Sequence, residues 1–303
     1  MDPENNKQWT SETLQEVLLA MIAWEPLRVA LIFKGARILN LHLGNSRQSL
    51  DIDSNLAPEF VASIPDLQER AAVLEREMAR ALRRHFEKQN PVKYTLGKVT
   101  VDHQPPKGHP RGWNAFVLKI EVRDNTKSAV LGLRPPEIDV AAPETLGPNA
   151  VEKMDFQGAQ ARVYALHRIA GEKLRAYLTS LPAYRRRVHG GTRDMRVKDL
   201  HDIARILRHR PATDTEFWAE AGREFQLACQ SRLVDCRGLE TFMENWDQAR
   251  ERYETDKNLD AVSFDEAENA LKTVVGLLEG QGLAMVKINP EAFQTGFRGK
   301  RDA

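Results

Sequence analysis

Apolar positions set out the elements before any chemistry is considered. Leu14, Val17, Leu18 and Met21 recur at helical spacing behind Ser11, a predicted N-cap, and Pro26 closes that helix. The apolar run over residues 27–33 predicts a buried strand, Lys34-Gly35-Ala36 a turn, and residues 37–43 a short helix. Gly44-Asn45 breaks the helix, and residues 47–53 alternate like a second strand. Residues 67–89 carry the spacing of a long amphipathic helix. Strands are predicted over residues 97–101 and 115–123, on either side of a loop holding Pro105, Pro106, Gly108 and Pro110. Prolines and glycines crowd residues 134–149, which predicts a linker. Beyond it the pattern is helical: residues 156–179, 197–209, 214–232 and further segments. The predicted fold class is therefore α+β, with a small mixed sheet in a first domain (1–140) and a mainly helical second domain (150–303). A sheet domain with a helical partner commonly carries its site in the cleft between them.

Composition changes this picture little. With 303 residues, 42% hydrophobic and 29% charged, the chain has the balance of an ordinary globular protein of one or two domains. No apolar run is long enough for a bilayer, so no membrane partner is expected. The first ten residues lack the apolar core of a signal peptide, and the two cysteines, Cys229 and Cys236, are too few for a disulfide framework or structural zinc. The expectation is a reduced, cytoplasmic protein. A net charge of +1, from 44 basic and 43 acidic residues, is low for a protein that coats nucleic acid, although a local basic patch can still grip RNA.

The second predicted strand reads R-Q-S-L-D-I-D. Alternation puts Arg47, Ser49, Asp51 and Asp53 on one side and Gln48, Leu50 and Ile52 on the other. Two carboxylates on one strand face can converge on Mg²⁺, which takes few protein carboxylates and completes its shell with water and phosphate oxygens. The same pattern suits a solvated edge strand, and D-x-D alone is common. Upstream lies Lys34-Gly35, a glycine turn into a helix, where backbone N–H groups can meet phosphates. The pairing of the two features is more specific than either.

Two charges fall on apolar helix faces. Around Lys173, Leu166, Ile169, Ala170, Ala176 and Tyr177 lie within roughly 60° at 100° per residue. On the helix over residues 197–209, Ile203, Ile206, Leu200 and Leu207 surround Asp199, Asp202 stands at the edge, and Lys198, His201, Arg205, Arg208 and His209 form an opposite basic face. A lysine and an aspartate in such places are either a buried structural pair or groups held in a cleft for chemistry. In a solvent-reached cleft either is expected to be removable with little loss of stability.

Four pieces now stand in order: F-K-G-A (33–36), S-L-D-I-D (49–53), G-E-K-L-R-A-Y (171–177) and R-V-K-D-L-H-D-I (196–203). Over about residues 10–210 this order resembles the AbiEii/AbiGii nucleotidyltransferase toxins of abortive-infection and type IV toxin–antitoxin systems. The resemblance implies a polymerase-β-like nucleotidyltransferase fold, with Asp51 and Asp53 as metal ligands for Mg²⁺ or Mn²⁺ and an NTP as substrate. It implies that Lys34, Gly35, Ser49, Lys173 and Arg196 bind the nucleotide, that Asp199 assists catalysis or holds Lys173, and that Asp202 supports it. It also implies an RNA acceptor such as tRNA and a cognate antitoxin. The family usually has Gly-Gly or Gly-Ser at the turn, where this chain has Ala36 in second place. A third carboxylate is sought at Glu121, which an exposed edge position would explain equally well. Transfer to a protein hydroxyl, or a non-catalytic defence component with the same fold, are the rival functions. A basic loop with Arg185, Arg186, Arg187, His189 and Arg193 is either a phosphate grip or a solvated loop.

Overall fold

The computed structural model describes residues 3–44, 50–105, 113–126, 136–188 and 194–289. Two compact units emerge: Met1–Pro143 with Val151–Tyr164, and Glu144–Ala150 with Ala165–Ala303.

The first unit begins with α1 (Pro3–Ala23), α2 (Glu25–Ala30), β1 (Leu31–Lys34) and α3 (Gly35–Leu43). It continues with β2 (Ile52–Leu56), α4 (Pro58–Ser63), α5 (Leu67–Glu87), β3 (Tyr94–Gln104), β4 (Ala115–Asp124), β5 (Glu137–Ala141), β6 (Val151–Phe156) and β7 (Ala159–Tyr164). Its mixed sheet has seven strands in the order β3-β4-β5-β2-β1-β7-β6. The pairs β2–β5 and β1–β7 are parallel, and the other neighbours are antiparallel.

Alternation gives the central strands one closed face. Phe116, Leu118 and Ile120 of β4 and Ile138 and Val140 of β5 are fully buried. The helix α5 starts at Asp66, whose side chain accepts from Glu69 N at 2.8 Å, and it buries Leu74, Met78, Leu82 and Phe86. Phe86 meets Tyr94 of β3 with ring centroids 5.6 Å apart. Such burial is worth about 1.5–3 kcal/mol per large apolar side chain.

Several boundaries differ from the sequence expectation. α1 starts well before Ser11, because buried Trp9 extends its apolar face and donates from Nε1 to Asp124 Oδ2 at 3.2 Å. Pro26 opens α2 rather than closing a helix, so the apolar run from residue 27 is shared between a helix and a short strand. The predicted linker contains β5, and of the stretch 156–179 expected as helix the part up to Tyr164 is the end of β6 and then β7, while the part from Leu166 is helical. Gln157 (φ 52°) and Gly158 (φ 85°) turn this hairpin, as a two-residue loop of positive φ does.

The second unit contains α6 (Leu166–Ser180), α7 (Pro182–Val188), α8 (Val197–His209), α9 (Thr215–Arg232), β8 (Cys236–Arg237), α10 (Leu239–Phe242), α11 (Trp246–Thr255), α12 (Phe264–Gly280) and β9 (Met285–Val286). Helix α6 is its centre, with twelve of its fifteen residues buried against neighbours that include α8 and α9. Arg168, on α6, is fully buried and reaches Glu144 at 2.6 Å and Glu224 at 3.1 Å; Arg232 reaches Glu144 at 2.9 Å. Glu224 also accepts from Gly147 N at 2.8 Å, so the segment Glu144–Ala150 is fastened to this unit by charge.

Gly171 permits a close contact between α6 and α9. A Cβ there would lie 2.6 Å from Phe225 N and 2.7 Å from Ala221 O, both backbone atoms of α9. Exchanging Gly171 for Ala gains up to about 1 kcal/mol of helix propensity, but overpacking costs about 1–3 kcal/mol or more when backbones must part. Gly171→Ala is therefore expected to lower the thermal melting temperature. An unchanged or raised value would show that α6 and α9 separate freely.

Candidate functional site

The face of the sheet opposite the core carries the acidic residues. Register places Lys34 of β1 opposite Asp53 of β2, Asp53 beside Asp139 of β5, and Asp139 opposite Val117 of β4. Paired residues on neighbouring strands share a face and lie about 5 Å apart across the ladder. Asp53 and Asp139 are thus adjacent carboxylates, Asp139 exposed and Asp53 half-buried. Asp51 stands one residue ahead of β2, and alternation carried back from the strand puts it on the Asp53 side.

Gly35 fits this row by lacking a side chain. Its φ is +80°, and a Cβ would fall 2.0 Å from Asp53 Oδ2. The start of α3 therefore lies directly against the Asp53 carboxylate, with Lys34 as its N-cap. The Lys34 ammonium lies 5.6 Å from the centroid of the Tyr164 ring.

Asp139 was missed because it sits in the stretch read as linker. Glu121, the sequence candidate for a third carboxylate, pairs with Lys98 at the far part of the β3–β4 ribbon. It is separated along β4 from Val117, the partner of Asp139, by about 13 Å of strand. Asp139, and not Glu121, is the carboxylate that the register puts beside Asp53. Ser49 lies outside the described residues. Among the described residues no group of three or more His, Cys, Asp or Glu side chains forms a ready metal cage. The donor set still fits Mg²⁺, which commonly takes one or two carboxylates and relies on substrate phosphates for the rest.

In the second unit Lys173 and Asp199 meet. Lys173 Nζ donates to Asp199 Oδ1 at 3.0 Å and lies 2.7 Å from Asp202 Oδ2. Arg196 Nε donates to Asp199 Oδ2 at 2.6 Å. Lys173 is 7% exposed, and both aspartates are at 0%. Burial by itself would lower the Lys173 pKa, but Asp199 and Asp202 more than offset it and hold it above the ordinary lysine value. Burial would likewise raise Asp199, but Arg196 and Lys173 hold it below the usual carboxylate range. The geometry is that of an enclosed ion network joining α6 to α8, so removal with little loss of stability is no longer the expectation.

The predicted basic face of α8 is also revised. His201 is 1% and Arg205 8% exposed, with Arg205 Nη1 3.6 Å from Asp202 Oδ1. Arg208 is taken by Glu266, at 2.5 and 2.6 Å. Of the predicted basic face, Lys198, Arg208 and His209 reach solvent, near the ends of the helix, while its middle is buried. Arg185, Arg186 and Arg187 stand on α7 rather than in a loop; His189 and Arg193 lie outside the described residues.

A family model described as "Nucleotidyl transferase AbiEii toxin, Type IV TA system" matches residues 16–272. Among solved structures, a crystal structure from H. pylori assigned as a nucleotidyltransferase is similar with a TM-score of 0.51 at 12% identity, over 93% of this chain and 97% of that one. MenT4, a nucleotidyltransferase toxin from Mycobacterium tuberculosis H37Rv, gives a TM-score of 0.42 at 17% identity, over 91% of this chain and 93% of that one. The first of these, at its identity, speaks to the fold alone. No curated protein matches.

Removing Lys173 takes the shared ammonium from two buried aspartates and leaves Asp199 with Arg196 and Asp202 with the more distant Arg205. Lys173→Met is expected to lose about 3–5 kcal/mol of stability at neutral pH, read by urea denaturation. In the wild type, the depressed Asp199 contributes stability above its unfolded value of about 4 that is lost as pH falls through the lower folded value. The raised Lys173 contributes below its unfolded value of about 10.4, lost as pH rises through the higher folded one. The network's contribution is thus level between about pH 4 and pH 10. In Lys173→Met the buried Asp199 loses one of the two cations that hold it ionised, so its protonation becomes easier and the deficit should shrink as pH falls toward about 5. A deficit below about 1 kcal/mol at pH 7 would mean that the pair is not energetically enclosed.

Proposed function

The chain belongs to the AbiEii nucleotidyltransferase family of type IV toxin–antitoxin systems, and from that membership we propose that it moves a nucleoside monophosphate from an NTP to a hydroxyl of RNA, such as tRNA, with Asp51, Asp53 and Asp139 as ligands for Mg²⁺ or Mn²⁺. The observation that carries the site assignment is the row in which Asp53 and Asp139 are neighbours and Gly35 yields its side-chain space to Asp53. The acceptor oxygen forms a bond to the α-phosphorus as the bond from that phosphorus to the bridging β-phosphate oxygen breaks. Pyrophosphate leaves with the negative charge, and the acceptor proton passes to a carboxylate, for which exposed Asp139 is the candidate. A divalent cation in this row supplies neutralisation of the phosphate charge and eases ionisation of the acceptor hydroxyl.

Lys34, at the N-cap of α3, and the backbone of Gly35 are proposed to meet the triphosphate, together with Ser49; Arg196 is carried as a nucleotide-binding residue on the family resemblance alone. Lys173 is proposed to bind the nucleotide on the family resemblance; its Nζ is directed at Asp199 and Asp202. In this reading Asp199 and Asp202 orient the lysine, and Arg196 keeps Asp199 ionised. The family implies an antitoxin partner; a role in phage defence, as in abortive infection, is part of the proposal. No helix among the described residues is long and apolar enough to cross a membrane.

The test is transfer of label from each α-³²P NTP to total RNA and to total protein. Label in RNA is expected. Label in protein alone would replace the acceptor, and no transfer with any NTP would leave a non-catalytic component. Asp51→Asn, Asp53→Asn and Asp139→Asn should each fold and lose roughly 100-fold in turnover, about 2.7 kcal/mol of transition-state stabilisation. Wild-type turnover in Asp139→Asn would remove it from the site and return the third carboxylate to an open question.

A further inference from the structure

Asp51 differs from the other two carboxylates in where it stands. The ladders run from Lys34↔Asp53 in β1–β2 and from Ile52↔Ile138 in β2–β5, so Asp51 is just ahead of both. It enters from a segment between α3 and β2, and it carries the same charge as Asp53 nearby. A carboxylate outside the ladder and beside a like charge needs something to fix its direction, because a metal site tolerates only about 0.5 Å of misplacement.

Arg37 is built into that place. It sits in the first turn of α3, right after the Gly35 turn that packs on Asp53. Its Nε donates to the backbone carbonyl of Asp51 at 3.1 Å. Its Nη2 donates to Ser11 O at 3.3 Å, and Nη1 to Gln15 Oε1 at 3.4 Å. One planar guanidinium thus joins α1, α3 and the entry to β2. A lysine ammonium has no fixed fork with which to hold these three acceptors in one arrangement. Burial pushes the guanidinium pKa down while the Asp51 charge pulls it back up, and an arginine remains cationic through such a shift.

We propose that Arg37 is a positioning residue for Asp51: it fixes the backbone from which the carboxylate projects and offsets the repulsion between Asp51 and Asp53 before a cation arrives. The bonds it makes are to protein groups, so it acts through Asp51 and does not touch the reacting atoms. The proposal rests on the carboxylate row being the metal site.

The test measures Mn²⁺ affinity by electron paramagnetic resonance, on the full chain with a non-hydrolysable NTP analogue, for wild type, Arg37→Met, Asp51→Asn and the double variant. Partners that orient metal ligands contribute about 10-fold to 100-fold in affinity, so Arg37→Met should weaken Mn²⁺ by that factor. Metal-free binding of the analogue should be nearly unchanged, and turnover should recover in part at high Mg²⁺. In the Asp51→Asn background Arg37→Met should cost nothing further, a pattern that general loosening of the fold does not produce. Wild-type Mn²⁺ affinity in Arg37→Met, or an equal loss in both backgrounds, overturns the proposal while leaving the metal site in place. Absence of Mn²⁺ binding in the wild type overturns the metal site and this proposal together. If Arg37→Met does not fold, Arg37→Lys keeps the cation without the fork; a clear loss of Mn²⁺ affinity supports the proposal, and full affinity overturns it.

Discussion

Gly35 and Asp53 cannot both carry a side chain in this backbone. The carboxylate Oδ2 of Asp53 occupies the point where a Cβ on Gly35 would sit, 2.0 Å away. Three consequences follow from that exclusion. The turn takes a positive φ that glycine alone adopts at no cost. The first turn of α3 is drawn onto the acidic edge of β2, which brings Arg37 within reach of the Asp51 carbonyl. Lys34, one residue earlier, is fixed in register with Asp53. The open face of the sheet is organised around one missing methyl group, and the closed face, with Ile138, Val140, Phe116 and Leu118, holds that register by burial.

The helical unit solves a different problem. Its central helix α6 carries two buried cations on different sides: Arg168 with Glu144 and Glu224, and Lys173 with Asp199 and Asp202. Buried ion pairs rarely stabilise more than a well-packed apolar core, because each charge must be taken out of water. Their presence is therefore better understood as fixing position than as adding stability. Arg168 ties the segment Glu144–Ala150 to α6 and α9. The Lys173 network fixes the rotation of α8 against α6, since Asp199 and Asp202 must both face one ammonium. Arg196, just ahead of α8, completes the compensation at the second oxygen of Asp199.

Much of this was legible in the sequence, and the failures have physical causes. The α+β class, the bounds of α8, the long α5 and the meeting of Lys173 with Asp199 follow from helical periodicity, where three or four turns give repeated signals. The acidic pair and the glycine turn were legible as chemistry, though not the contact between Gly35 and Asp53, which depends on strands pairing across the sheet. β5 was hidden because five residues give too few alternations to outweigh the prolines and glycines around them. Asp139 was lost with it. The burial of Arg168 was not legible, because periodicity says which side a residue is on but not that a second element covers that side. His201 and Arg205 were misjudged for the same reason.

The one departure from the family pattern at the turn, Ala36, can now be weighed. An extra methyl next to a glycine proposed to meet phosphate matters only if it projects to where the phosphate would approach. Ala36 is 8% exposed and belongs with Ile38 and Leu39 among the buried residues of α3. Its methyl is on the packed side of the helix start, and what it contributes is apolar contact and helix propensity in a nine-residue helix. The position that cannot accept a methyl is the one before it, and there the chain keeps glycine. A serine at Ala36 would have added a hydroxyl to an anion site; this chain instead places a guanidinium one residue later, in the same first turn, and directs it to the protein. Charge at this helix start is directed at the protein through Arg37, while the proposed contacts to an incoming phosphate are those of Lys34 and the backbone.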